Sequence, residues 1–275
     1  MSTSENPCKY LQEVVAIASE AGRRILEVYE RPFAVSEKAD GSPLTEADRA
    51  AHEHIVSRLA ALTPDIPVLS EESAEISYEQ RAAWKRLWLV DPLDGTKEFI
   101  KRNDEFSVNI ALIEGHEPIL GLVLAPVTKV GYWACRGEGA YKQVAGGRPQ
   151  PIHVRRYDGG PATVAASRSH AGKRLGGFLQ SLARKEGAPE VRSMGSALKI
   201  CLVAEGAADI CPRFGPTSEW DTAAAQCVLQ VAGGRLTDLA KRPLVYNKRS
   251  LLNPWFLASG GGDYDWTVHI NDVGA

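Results

Sequence analysis

Residues 88–96 read Trp-Leu-Val-Asp-Pro-Leu-Asp-Gly-Thr, and this stretch decides the fold. A run of apolar residues stops abruptly at two carboxylates, Asp91 and Asp94, with a proline and a leucine between them. The pattern predicts a buried strand that delivers acidic groups to its carboxyl end, the edge at which open α/β sheets bind ligands. Two carboxylates this close repel each other unless a cation lies between them. We therefore predict a Mg²⁺ site and, with it, phosphate chemistry.

Length and charge limit the classes of protein that fit this chain. Its 275 residues suffice for one large domain or two closely packed ones. The net charge of −2 argues against binding to a nucleic-acid polymer. No run of about 18 apolar residues occurs, so no transmembrane helix is expected, whereas peripheral attachment to the inner membrane stays open.

The cysteines and the N-terminal segment predict a cytoplasmic location. The five cysteines are odd in number and lack C-x-x-C spacing, so we interpret them as reduced, mostly buried thiols. The first nine residues are polar and lack the apolar core of a signal peptide.

Helical and strand patterns alternate along the chain. Apolar spacing predicts helices over residues 10–29, from Thr45 to before Pro64, and over 222–232. Residues 37–43 are expected to be a loop, and residues 107–113, 119–125 and 131–135 successive strands. A composition change at residues 146–151 predicts a boundary between an N-terminal α+β domain, 1–150, and a C-terminal α/β domain, 151–275.

Two other chemistries do not fit the Asp91–Asp94 segment. A calcium EF-hand loop needs oxygen-bearing side chains at alternate positions, where Leu93 and Gly95 stand. A phosphatase of the D-x-D-G-T kind needs a nucleophile two residues before Asp94, where Pro92 stands. A solvated Asp-Pro turn followed by an Asp-Gly turn remains the structural alternative.

Further candidate groups follow other predicted elements. Glu71 and Glu72 end a strand, and strand alternation predicts that only one of them joins the metal cluster. Asp221 precedes an alanine-rich helix, where it is either a metal ligand or an N-cap. The hydroxyl of Thr96 either contacts a phosphate or a water, or caps the helix that follows.

Three motifs together resemble the inositol monophosphatase superfamily of Mg²⁺-dependent, lithium-sensitive phosphatases. They are Asp-Pro-Leu-Asp-Gly-Thr at 91–96, Ser-Glu-Glu-Ser at 70–73 and Trp-Asp-Thr-Ala-Ala at 220–224. The resemblance spans almost the whole chain. It implies a mixed α/β fold, the layered αβαβα sandwich of the inositol monophosphatase and fructose-1,6-bisphosphatase type.

Within that superfamily the sequence is similar to the 3′(2′),5′-bisphosphate nucleotidases. The supporting segments are Ser-Pro-Leu-Thr-Glu-Ala-Asp at 42–48, the residues from Val90 to Arg102, and Pro-Arg-Phe-Gly-Pro-Thr at 212–217. Inositol monophosphatases usually continue Asp-Gly-Thr with Thr-Asn-Phe, and Lys-Glu-Phe at 97–99 departs from that pattern.

The resemblance implies a role for each matching position. It implies two or three Mg²⁺ ions held by Glu71, Asp91, Asp94, Asp221 and the Leu93 carbonyl. It also implies that Asp48, Glu71 and Thr96 position and activate the attacking water. The implied substrate contacts are Gly95, Thr96, Ser169 with His170, Ser196 with Lys199, Arg213 and Asp221.

The implied reaction converts adenosine 3′,5′-bisphosphate to AMP and inorganic phosphate, a recycling step of sulfur assimilation. Lys199 and Arg213 would hold the 5′-phosphate, although a solvated lysine and a surface ion pair are the alternatives for these two residues. Hydrolysis of inositol or sugar monophosphates, and a catalytically silent, metal-dependent nucleotide sensor, are the competing functions. The expected partner is a small nucleotide, and the expected state is a monomer or a homodimer.

Overall fold

The computed structural model describes residues 6–38, 41, 43–73, 75–167 and 172–270. Within them the chain forms seven α-helices, fourteen strands and four short 3₁₀ helices. The α-helices are α1 (Leu11–Tyr29), α2 (Glu46–Leu62), α3 (Tyr78–Arg81), α4 (Thr96–Ile100), α5 (Lys173–Lys185), α6 (Leu198–Ala204) and α7 (Ala223–Val231). The 3₁₀ helices are Pro7–Tyr10, Glu71–Ser73, Glu219–Asp221 and Trp266–His269.

The strands form two sheets and a hairpin. They are β1 (Val35–Glu37), β2 (Pro43–Thr45), β3 (Val68–Ser70), β4 (Arg86–Asp94), β5 (Ser107–Glu114), β6 (Glu117–Ala125), β7 (Val130–Cys135), β8 (Gly139–Val144), β9 (Gln150–Pro151), β10 (Thr163–Ala166), β11 (Glu190–Ser193), β12 (Ile210–Arg213), β13 (Arg235–Asp238) and β14 (Phe256–Ser259).

The larger sheet has seven strands in sequence order, from β3 to β9. Only the β3–β4 pair is parallel, and each later strand pairs antiparallel with the one before it. The second sheet has the order β11-β10-β12-β14-β13, in which β10 is parallel to both β11 and β12. Because β3 and β4 run in the same direction, Glu71 and the aspartates of β4 lie at the same edge of the larger sheet.

The sheets and helices stack in five layers. Helices α1 and α2 pack on one face of the larger sheet through a core that includes Ile17, Ile55 and Trp88. Helices α6 and α7 lie between the two sheets, where Leu89, Val203 and Val228 share a second core. Helix α5 covers the outer face of the second sheet through Phe178 and Leu182. This αβαβα order confirms the predicted fold class.

Most elements lie where the sequence predicts them, and one expectation is wrong. Residues 35–37 and 43–45 pair as an antiparallel hairpin, so Glu37 and Pro43, the two ends of the segment expected to be a loop, belong to the strands. Cys8 and Cys135 form a disulfide across 127 positions, and Cys201, Cys211 and Cys227 are free and buried. Spacing rules miss this pair because only the folded chain brings the two cysteines together.

The two sheets use separate parts of the chain, since the first ends at Pro151 and the second begins at Thr163. The boundary at residues 146–151 nevertheless stays a prediction. Among the described residues, no helix combines the length and the apolar character that a membrane span needs.

Candidate active site

A bulge at the end of β4 turns Asp91 and Asp94 toward the same side of the sheet. Side chains three positions apart on a regular strand point to opposite faces. Here Asp91 pairs with Asn109 and Asp94 pairs with Ser107, so three steps on β4 match two steps on β5. The extra residue restores a common direction for the two carboxylates, and Pro92 fits there because a bulge does not need every backbone N–H.

Asp221 completes a cluster of three aspartates. One carboxylate oxygen from each of Asp91, Asp94 and Asp221 lies within 4.8 Å of the others. Asp221 reaches the cluster from the 3₁₀ helix in front of α7. An all-oxygen donor set of this kind suits Mg²⁺, so the residues fit the predicted metal.

In each of the three aspartates, one carboxylate oxygen accepts hydrogen bonds from the protein. Asp91 Oδ1 accepts a hydrogen bond from the Leu93 N–H at 3.0 Å, and Asp221 Oδ2 accepts one from the Ser218 N–H at 2.9 Å. Asp94 Oδ2 accepts from the Ala197 N–H at 2.6 Å and from Asn109 Nδ2 at 3.1 Å. Within the described part of the chain, the second oxygen of each aspartate has no hydrogen bond, which leaves it available as a ligand.

Burial and mutual repulsion disfavour the charged forms of these acids. The pKa of Asp91 is raised well above its ordinary value by burial and then by the charges of Glu71, Asp94 and Asp221. Burial and the charge of Asp94 raise the pKa of Asp221 to about 8. Burial also raises the pKa of Asp94. A divalent cation would reverse this balance, because it favours the ionised carboxylates.

Glu71 and Glu72 share a contact that the sequence did not predict. They begin a 3₁₀ helix, so strand alternation, on which the expectation of opposite directions rested, does not apply to them. The Nζ of Lys38 lies 2.7 Å from Glu71 Oε1 and 2.6 Å from Glu72 Oε1. Lys38 directly follows β1, in the segment predicted to be a loop. Nothing in the sequence around Lys38 predicts its ion pairs with Glu71 and Glu72.

Thr96 and Asp48 are neighbours across two elements. The Thr96 hydroxyl lies 3.2 Å from Asp48 Oδ1 and 3.3 Å from the Leu93 carbonyl oxygen. The other oxygen of Asp48 accepts from the N–H and the hydroxyl of Thr45, at 2.7 and 2.6 Å, as part of the capping box of α2. Burial raises the pKa of Asp48.

Thr96 does not cap α4. The N-cap position is Gly95, which has a φ of +93°, and Thr96 is the first residue of the five-residue helix. The capping interpretation of Thr96 is therefore wrong, and its hydroxyl is directed to Asp48 and Leu93 instead.

A cavity of about 410 Å³ opens over the aspartate cluster. It brings together most of the predicted residues from both halves of the chain. Its lining includes Glu71, Asp94, Gly95, Thr96, Ser196, Lys199, Arg213 and Asp221. Asp91, Leu93 and Asp48 do not line the cavity, although each contacts or neighbours a residue that does. Ser169 and His170 lie outside the described residues.

Two cations, Lys199 on α6 and Arg213 on β12, line this cavity. Lys199 is buried, its Nζ donates to the Ser196 carbonyl at 2.7 Å, and burial lowers its pKa. The interpretation of Lys199 as a solvated surface lysine is therefore wrong. Arg213 Nη2 donates to the Pro216 carbonyl at 3.2 Å, and the buried Nε of Arg213 has no hydrogen-bond partner in the described part of the structure.

The chain matches a known protein family over most of its length. The sequence model of the Inositol monophosphatase family matches residues 8–259. The chain belongs to the inositol monophosphatase family. The predicted family is thereby confirmed.

Relatives with known names and structures cover nearly the whole chain. The 3′(2′),5′-bisphosphate nucleotidase CysQ of Escherichia coli (strain K12) is 52% identical over 252 residues, which is 90% of this chain and 99% of that protein. The crystal structure of CysQ from Bacteroides thetaiotaomicron, a bacterial member of the inositol monophosphatase family, matches with a TM-score of 0.80, 44% identity, and coverage of 92% and 97% of the two chains. An IMPase of Thermotoga maritima matches with a TM-score of 0.78 and 26% identity over 96% and 98%.

Proposed function

We propose that this protein is a Mg²⁺-dependent 3′(2′),5′-bisphosphate nucleotidase, which hydrolyses the 3′-phosphate of adenosine 3′,5′-bisphosphate to give AMP and inorganic phosphate. One observation carries the proposal: a single cavity is lined by two members of the aspartate cluster, Asp94 and Asp221, and by two cations, Lys199 and Arg213. A substrate with two phosphates matches this combination of a candidate metal site and two cations. The 52% identity to nucleotidases of that name supports the same choice.

Glu71, Asp91, Asp94, Asp221 and the Leu93 carbonyl are the proposed ligands of two or three Mg²⁺ ions. Bound there, Mg²⁺ would neutralise the oxygens of the scissile phosphate and lower the pKa of a water molecule. The free oxygen on each aspartate supports this assignment, because a carboxylate tied by both oxygens would bind a metal less readily.

Asp48, Thr96 and Glu71 are the proposed residues that orient and deprotonate the attacking water. The Thr96 hydroxyl is held by Asp48 and Leu93, so its oxygen can accept a hydrogen bond from water in a fixed direction. The raised pKa of Asp48 makes its carboxylate a better proton acceptor than an ordinary aspartate.

Lys199, Arg213, Ser196 and His170 are the proposed contacts for the rest of the nucleotide, with Gly95 and Asp221 near the scissile phosphate. Lys199 and Arg213 would bind the 5′-phosphate by charge-assisted hydrogen bonds. We further propose that the protein is a monomer or a homodimer in the cytoplasm, and peripheral contact with the inner membrane is compatible with this proposal. Its proposed role is the recycling of this nucleotide during sulfur assimilation.

A substrate panel tests the proposal directly. Purified protein with Mg²⁺ should release phosphate from adenosine 3′,5′-bisphosphate with a higher kcat/KM than from inositol 1-phosphate. Preference for the inositol ester would favour an inositol or sugar phosphate phosphatase. No release from any nucleotide would favour the silent nucleotide sensor.

A further inference from the structure

A second cavity of about 540 Å³ adjoins the candidate active site. Ser167, Lys199 and Arg213 line both cavities and so form the junction between them. We call the second cavity the basic lobe, because Lys173, Arg174, Lys199 and Arg213 line it, while no carboxylate does within the described residues. The basic lobe thus extends the proposed nucleotide site away from the aspartates.

Arg174 and Trp255 form a stacked pair at this lobe. The guanidinium carbon of Arg174 lies 3.9 Å from the centre of the Trp255 ring system, a separation at which the two planar groups are in van der Waals contact. Arg174 lines the basic lobe and Trp255 does not, so the indole lies behind the guanidinium. The indole covers one face of the guanidinium, and Arg174 also lines the lobe.

A planar cation with one covered face is suited to a planar ligand. Guanidinium groups stack on nucleobases, and every base offers a π face to such a partner. Trp255 also restricts the side chain of Arg174, so less rotational freedom is lost when a ligand binds. Phe214, which lines the same lobe and contacts Trp255 edge to face at 6.3 Å, supports the indole from a second side.

We propose that Arg174, backed by Trp255, is the platform on which the purine base of the nucleotide stacks. The inference rests on the proposed function. With the 3′-phosphate at the aspartates and the 5′-phosphate at Lys199 and Arg213, the ribose and the base remain to be placed, and the base is the planar group of the two. The basic lobe is the open volume next to those two cations, and it offers a flat surface. Arg174 is then a specificity-determining residue that favours nucleotides over other phosphate esters.

Calorimetry with the reaction product tests the platform without turnover. AMP and D-ribose 5-phosphate carry the same phosphate, and only AMP carries the base. We expect the Mg²⁺-loaded wild-type protein to bind AMP about tenfold more tightly than ribose 5-phosphate, the order of magnitude that stacking of one base contributes. Equal affinity for the two ligands would overturn the proposal.

Two variants separate stacking from charge. Arg174→Lys keeps the positive charge and removes the plane, so it should abolish the preference for AMP while the affinity for ribose 5-phosphate stays within about twofold. Trp255→Leu removes the backing and should reduce the same preference. An equal loss for both ligands in Arg174→Lys would make Arg174 a phosphate contact, and an unchanged preference would remove it from the site. Either result overturns the platform.

The same measurements distinguish the platform from the proposed reaction. Wild-type protein that prefers AMP yet releases no phosphate from adenosine 3′,5′-bisphosphate would overturn the reaction and support the platform. Wild-type protein that hydrolyses this nucleotide yet binds AMP and ribose 5-phosphate equally would do the reverse. Because the Arg174 and Trp255 side chains are half-buried, thermal unfolding of each variant checks that the protein remains folded.

Discussion

The carboxylate of Asp94 accepts a hydrogen bond from the backbone N–H of Ala197, at 2.6 Å, although 103 residues separate them in sequence. Asp94 ends a strand of the larger sheet, and Ala197 precedes α6, which supports the second sheet. The bond therefore couples the proposed metal site to the loop that carries Ser196. A shift of this loop would move a proposed nucleotide contact and disturb a proposed metal ligand together.

Gly195→Ala should disrupt this coupling. A methyl group at position 195 would lie 2.3 Å from the Glu105 carbonyl oxygen and 2.8 Å from Glu105 Cβ, distances that the backbone cannot accept without moving. We expect a loss of about 1–3 kcal/mol in the free energy of unfolding, together with a higher KM for the nucleotide. Thermal unfolding and steady-state kinetics measure the two effects.

Gly176→Ala is the matched control. Position 176 lies inside α5, and among the described residues no atom beyond its chain neighbours and the nearby backbone of α5 lies within 4 Å of the added methyl group. Alanine should stabilise this helix by about 0.5–1 kcal/mol and leave KM unchanged. Equal behaviour of the two variants would contradict the close approach of residues 195 and 105.

Asp91→Asn should abolish turnover and preserve the fold. Asp91 is buried beside the charges of Glu71, Asp94 and Asp221, so an uncharged side chain of the same shape relieves repulsion in the metal-free protein. The melting temperature without metal should rise, and the stabilisation by Mg²⁺ should shrink. We expect kcat to fall by a hundredfold or more, on the order of the several kcal/mol that a metal contributes. A folded variant with near-normal kcat would remove Asp91 from the site.

The stability of the metal-free protein should fall as the pH rises. The pKa of Asp221 is raised from 3.8 to about 8, so the folded protein holds a proton that the unfolded chain has already lost within this interval. Folding is therefore favoured at the acidic end and weakens toward pH 8. The raised pKa values of Asp91, Asp94 and Glu71 act in the same direction.

Melting temperatures with EDTA, from about pH 5 to about pH 8, check this sign. Mg²⁺ bound at the proposed site would compete with protons for the same carboxylates, so its stabilising effect should grow over the same interval. A metal-free melting temperature that rises steadily with pH would contradict the proposed repulsion.

Sequence could predict the strand end, the aspartates and the αβαβα fold, because each depends on a local pattern or on motifs that identify a family. The adjacent pair Glu71 and Glu72 at a predicted strand end also indicated a further acidic group beside the aspartates. The sequence could not predict that a bulge would align Asp91 with Asp94, because register is set by pairing with β5. The sequence also could not predict the Lys38–Glu71 ion pair or the Cys8–Cys135 disulfide. The two residues of each pair are 33 or more positions apart and meet only in the folded chain.

The disulfide can be checked by counting thiols. Denatured, unreduced protein should react with a thiol reagent at three cysteines, Cys201, Cys211 and Cys227, and reduced protein should react at all five. The Cys8→Ser variant should leave four thiols, since Cys135 then loses its partner. Five reactive thiols in carefully unreduced protein would restore the interpretation of the cysteines as wholly reduced.

Glu219 anchors the turn that carries Asp221, so its replacement should weaken both stability and metal binding. Its carboxylate is fully buried and accepts from the Asn247 N–H at 2.6 Å and from the N–H and Nζ of Lys248 at 2.9 and 2.7 Å. Glu219→Gln turns an amide N–H toward one of these donors, which should cost about 2 kcal/mol in the free energy of unfolding.

The effect should appear as a higher Mg²⁺ concentration for half-maximal activity, with kcat largely restored at saturating Mg²⁺, because Glu219 acts only through the position of Asp221. Glu79→Gln is the matched control: Glu79 pairs with Arg249 on the surface, where both side chains are more than 70% exposed. That substitution should change neither the melting temperature nor the Mg²⁺ dependence, because exposed ion pairs contribute little. A Glu219→Gln variant with lowered stability and unaltered Mg²⁺ dependence would limit Glu219 to a structural role.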